Sequence, residues 1–157
     1  MSPAALGWIR AVALASLVLV VDQATKQFAV SRFGDGDVSV GLGFELVEVR
    51  NDGVAFGLLG GGEALVIVIT MAALALVAGY FALDPGRPGL WVGIGLLSGG
   101  ALGNLADRLR EGSVIDFLDP PAWPAFNVAD VAIIAGIATI VLIQIRSEEK
   151  SEPSAGV

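Results

Sequence analysis

Twenty consecutive residues, Ala64 to Leu83, carry no charge. A helix of that length rises about 30 Å, enough to cross the hydrocarbon core of a bilayer. The pattern recurs. Pro88 to Ala106 holds nineteen more uncharged residues, and residues 131–145 hold fifteen, which Phe126 to Asp130 extend. A first apolar stretch covers residues 6–30, uncharged from Ala11 to Val21 and flanked by Arg10, Asp22 and Lys26. Only 16% of the 157 residues are charged and 55% are hydrophobic, whereas a soluble domain carries about 25% charged residues. The expectation is a single-domain, all-α membrane protein with four transmembrane helices, at about 6–30, 63–83, 88–108 and 127–146. The acidic run from Ser147 to Pro153 reads as part of a disordered tail, residues 147–157. A cleaved secretory leader is the rival reading of the N-terminus. Against it, the apolar stretch runs on into Asp22-Gln23-Ala24-Thr25-Lys26, which is no cleavage site.

Four spans alternate in direction. The ends of spans one and three and the starts of spans two and four therefore share one side. That side collects Asp22, Lys26, the loop 31–62, Asn104, Asp107, Arg108, Asp116, Asn127 and Asp130. The other side keeps the termini and the short link Asp84-Pro85-Gly86-Arg87. Basic residues are spread over both sides, so the positive-inside rule gives no orientation. Within the loop, Leu42, Phe44 and Leu46 alternate with Gly43 and Glu45, a period-two signal for a small surface sheet.

The chemistry open to this chain is narrow. It has no His and no Cys, which removes thiolate nucleophiles, disulfides and the usual zinc ligands. A net charge of −7 argues against nucleic acid as a partner. Carboxylates, hydroxyls and two lysines remain, and an ionisable group near hydrocarbon marks a functional site by default. Asp116 stands in the apolar run Val114-Ile115-Asp116-Phe117-Leu118 with no local capping role. Asp130 follows Asn127 by three and fits the N3 position of a helix capped by Asn127. Two nearby carboxylates that share a proton can act as general acid and general base, without His, Cys or metal. The residues alone leave Asp130 open between cap and catalyst.

Asp22 and Lys26 lie four apart, acid first, the favourable order for a helical ion pair. Their plainest role is structural, with Lys26 snorkelling outward. A Ser–Lys dyad fits less well, because neither Ser16 nor Ser98 lies at the depth of Lys26. Asn51-Asp52-Gly53 is a turn signal. Gly95, Gly99 and Gly103, spaced by four, read as a helix-packing stripe. Asn104 and Asp107, three apart, share one helix face. A transporter would spread charges through the bilayer depth rather than gather them at one face; a non-enzymatic scaffold is a third class.

In order along the chain, five segments resemble the bacterial signal peptidase II (lipoprotein signal peptidase) family. They are Asp22-Gln23-Ala24-Thr25-Lys26, Asn51-x-Gly53-x-Ala55-Phe56-Gly57, Gly99 to Arg108, Gly112-x-Val114-x-Asp116-Phe117, and Phe126-Asn127-x-Ala129-Asp130. The resemblance implies an aspartic endopeptidase of the bacterial inner membrane that removes the signal peptide of diacylglyceryl-modified prolipoproteins, just before the lipidated cysteine. It implies Asp116 and Asp130 as the catalytic pair. It implies Asp22, Lys26, Asn51, Gly53, Asn104, Asp107, Arg108 and Asn127 as substrate-binding or supporting residues. No metal or cofactor is expected. The expected partners are prolipoprotein substrates and membrane lipids, for a monomer with cytoplasmic termini, an extracytoplasmic loop and a site near the outer leaflet.

Overall fold

The computed structural model describes residues 1–33, 36–53 and 62–151, with backbone alone from 149. Four long helices carry the fold: α1 (Pro3–Phe33), α2 (Gly62–Leu83), α3 (Leu90–Glu111) and α4 (Val128–Ser151). Three strands, β1 (Val38–Gly41), β2 (Phe44–Asn51) and β3 (Val114–Asp119), form one antiparallel sheet in the order β1-β2-β3.

By length and composition α1, α2 and α4 can cross a membrane. Helix α2 shows why lipid must be its solvent. It is apolar all round, yet only Val66 and Phe81 are buried against the protein. Val68 and Leu76 stand 63% and 75% exposed, a surface that water would not tolerate on a long helix. Four spans were expected, and α3 is the one that is not apolar enough to count with the other three. It sits at the centre, with α1 and α4 packed on it, and uses small residues for close approach. A Cβ on Gly99 would stand 2.7 Å from the backbone oxygen of Ala15 on α1, and one on Gly136 of α4 would stand 2.6 Å from the backbone nitrogen of Leu97. The glycine stripe is therefore a packing device, and its polar residues Asn104 and Asp107 are buried inside the molecule.

The sheet is larger than the loop suggests. Residues 38–51 supply two strands, and the third comes from the segment between α3 and α4. Helix α3 ends at Gly112 in the left-handed region (φ 76°), with the Gly112 amide donating to the Arg108 carbonyl at 3.0 Å, a turn that favours glycine. The chain then runs directly into β3, paired with β2 so that Asp116 lies opposite Val49 and Val114 opposite Asn51. Val114 to Phe117 are all buried, so β3 shows none of the alternation that would have announced it. Beyond β3 the chain doubles back. The Phe126 amide donates to the Leu118 carbonyl and the Leu118 amide to the Phe126 carbonyl, both at 2.9 Å. This returns Asn127 and the start of α4 to the side of β3. At the far end α4 continues to Ser151, where the acidic composition suggested disorder from 147. Residues 152–157 lie outside the described residues.

Candidate active site

The polar residues of α1, α3, α4 and the sheet meet at one end of the helices. The network begins on α1. Lys26 does not snorkel: it is 2% exposed and points inward. Its ammonium donates to Asp22 Oδ2 at 2.9 Å, Asp107 Oδ2 at 2.7 Å and Asn104 Oδ1 at 2.8 Å, using all three of its N–H groups. Neither Ser16 nor Ser98 is among these partners, which disfavours a Ser–Lys dyad. The other oxygen of Asp22, Oδ1, accepts the Ala129 amide at 2.9 Å. Asp22 therefore joins α1 to the N-terminus of α4, where free amides and the helix dipole favour an anion. Gly103 passes this carboxylate so closely that a Cβ would collide with Asp22 Oδ2.

Asn104 and Asn127 carry the network to the other two carboxylates. Asn104 Nδ2 donates to Asp130 Oδ1 at 2.8 Å. Asn127 Nδ2 donates to Asp116 Oδ1 at 2.7 Å and lies 3.2 Å from Asn104 Oδ1. From the sheet, Asn51 Nδ2 donates to Asp116 Oδ2 at 2.9 Å. That contact follows from register, since Asn51 and Asp116 are diagonal neighbours on one face of the β2–β3 pair. Asn51 Oδ1 accepts the Gly53 amide at 3.0 Å, with Gly53 at φ 66°. This places Asn51 and Gly53 in the expected turn; residues 54–61 lie outside the described residues.

Asp130 caps α4 and also reaches into the polar network. The Asn127 amide donates to Asp130 Oδ2 at 3.2 Å, and the Asp130 amide donates to Asn127 Oδ1 at 3.0 Å, a reciprocal cap. Capping takes one carboxylate oxygen and leaves Oδ1 turned to Asn104. Asp116 is buried, at 2% exposed. Burial holds its pKa above the ordinary carboxyl value, Asn51 opposes that by donating to the charged form, and the nearby charge of Asp130 adds to the rise.

Arg108 is less engaged than expected. Its Nη1 reaches the Asn104 carbonyl at 3.4 Å, and among the described residues no ion pair joins it to either carboxylate. Gln23, given no role from sequence, belongs to the network. Its Nε2 donates to Asp107 Oδ1 at 2.7 Å, and its Oε1 accepts from Arg110 at 2.9 Å. Two apolar grooves flank the site. One of about 620 Å³ opens beside Asp130 under Trp123 and Ile134. The other, about 380 Å³, runs between α2 and α4 and ends at Asn104 and Arg108. Among the described residues no three acids gather in a way that could hold a metal ion.

A pair of carboxylates linked through Asn127 and Asn104 beside apolar grooves suits acid–base hydrolysis. The family model for signal peptidase (SPase) II matches residues 14–146. The chain belongs to the signal peptidase II family. It is a peptidase with membrane-spanning helices. A lipoprotein signal peptidase of Pelotomaculum thermopropionicum is 44% identical over 140 residues, covering 87% of this chain and 91% of that one. The Moorella thermoacetica lipoprotein signal peptidase is 41% identical over 145 residues, covering 89% and 97%. A bacterial membrane enzyme solved by the in meso method is 28% identical, with a TM-score of 0.78 over 94% of both chains. A second is 31% identical, with a TM-score of 0.77 over 85% of this chain and 91% of its own. This signal peptidase II thus shares a mostly helical membrane-enzyme fold with a small antiparallel sheet.

Proposed function

We propose that Asp116 and Asp130 are the catalytic pair with which this signal peptidase II cleaves diacylglyceryl-modified prolipoproteins just before the lipidated cysteine. The observation that carries the assignment is the coupling of the two carboxylates through Asn104 and Asn127. Asp116 holds its proton more tightly than an ordinary carboxyl, so it begins as the acid and Asp130 as the base. Asp130 takes a proton from water as the water oxygen attacks the scissile carbonyl. Collapse of the tetrahedral intermediate breaks the C–N bond, and Asp116 delivers its proton to the departing amine. Asn51, Asn104 and Asn127 orient the carboxylates. Asp22, Lys26 and Asp107 position Asn104, while Arg108 and Gly53 line the approach of the substrate backbone.

The working arrangement is a monomer with four spans, α3 being the inner one whose polar residues face protein rather than lipid. The termini are cytoplasmic and the sheet lies at the outer leaflet, because a precursor crossing the membrane presents its scissile bond there. The grooves receive the lipid chains and the apolar signal segment. Purified enzyme given lipidated and unlipidated forms of one precursor is expected to cut only the lipidated form. Equal cleavage of both would overturn the lipid requirement.

The pH profile gives a second check. The pair works with one shared proton, so kcat/KM falls as pH rises through the pKa at which that proton is lost. Asn51 donates to ionised Asp116, and its removal raises that pKa further. In Asn51→Ala the alkaline limb of kcat/KM is expected to move to higher pH while its peak falls. A limb that stays in place or moves lower would remove Asn51 from control of the pair.

A further inference from the structure

The end of the molecule opposite the acid site carries a cluster that peptide cleavage does not use. Arg87, half-buried in the link between α2 and α3, reaches across to α4. Its Nη1 donates to Gln144 Oε1 at 2.9 Å, and its Nη2 donates to the Ile143 carbonyl at 3.1 Å and to the Ser147 hydroxyl. Gln144 in turn donates to the Tyr80 hydroxyl on α2. The guanidinium is thus held in one orientation by α4, with α2 buttressing the holder. These three acceptors are all neutral. They occupy three of the five guanidinium N–H groups and leave two for another acceptor. Arg146 lines the same cavity, about 370 Å³, with Pro88 and Ile143.

We propose that this cavity binds the phosphate of an anionic phospholipid headgroup in the leaflet on the side of the chain termini. Depth supports the assignment, since Ile143 to Ser147 close the apolar stretch of α4 and so lie at the level of headgroup phosphates. Charge supports it too. A fixed, half-buried cation with neutral partners gains most from an anion that arrives from the membrane. In a zwitterionic lipid the phosphate is already offset by its own ammonium. Asp84, the acid nearest Arg87 in sequence, is exposed and is not among the partners of the guanidinium. Apolar Ile143 and Pro88 suit the glycerol and upper acyl carbons below the phosphate.

The test titrates the full-length protein in neutral detergent with phosphatidylglycerol, phosphatidylcholine or inorganic phosphate, reading thermal unfolding and retained lipid by native mass spectrometry. Phosphatidylglycerol alone is expected to raise the unfolding temperature saturably. Arg146→Gln should weaken half-saturation about fivefold, and Arg87→Gln with Arg146→Gln about 25-fold. Arg32→Gln, at the other end of the molecule, should change nothing. If the Arg87 variant does not fold, Arg146→Gln decides alone. Unchanged saturation in Arg146→Gln, an equal response to phosphatidylcholine, equal loss in Arg32→Gln, or full reproduction by inorganic phosphate would each overturn the proposal.

Discussion

Asp116→Asn protein is expected to fold and insert, yet to cleave a lipidated precursor about a thousandfold more slowly or worse, and Asp130→Asn the same. Each substitution keeps size and removes the ability to trade a proton with water or with the leaving amine. On the proposed mechanism the two carboxylates act as one unit, so the double variant should be scarcely slower than either single one. The two singles separate in stability. Asp130 Oδ2 accepts the Asn127 amide at the start of α4, so Asp130→Asn also weakens a cap, by about 0.5–1 kcal/mol. Asp116 caps no helix. Time courses of precursor cleavage, beside thermal unfolding in detergent, read both effects. Cleavage within tenfold of the parent by either variant would remove that aspartate from the reaction.

What could be read beforehand divides along physical lines. The apolar stretches were legible because the bilayer imposes a length, and their alternation placed Asp22, Asn104, Asp107 and Asp130 at one end before any contact was known. Strand β3 was not legible. It is covered on both faces, so Val114 to Phe117 show no alternation, and its partner β2 lies more than 60 residues away. For the same reason the Asn51–Asp116 bond could not be foreseen without the register. For Lys26 the sequence shows only the neighbour at i−4. The partners that keep it inside, Asn104 and Asp107, come from another helix. Gln23 carries no signal because an i,i+1 neighbour of Asp22 has no reason, on a single helix, to share its site. For Asp130, capping does not exclude a second role, since one oxygen takes the Asn127 amide and the other faces Asn104.

Lys26→Met is expected to be the most damaging single change to stability. The ammonium sits between Asp22 and Asp107, whose side chains are 0% and 5% exposed. Without it two buried carboxylates face each other with no countercharge, a loss of about 3–5 kcal/mol. Arginine should restore little, because a planar fork cannot direct donors to three acceptors in three directions. Activity should fall as well, since Asn104 Oδ1 loses its donor while Asn104 Nδ2 is what holds Asp130. The decisive measurement is a double-mutant cycle read by thermal unfolding. If Lys26 is chiefly the counterion, Asp107→Asn should relieve much of the damage of Lys26→Met, and the two effects should fall well short of additive. If Lys26→Met unfolds at the parental temperature and loses only activity, the ammonium takes part in the chemistry, and its place in the mechanism moves from holding Asn104 to touching the substrate.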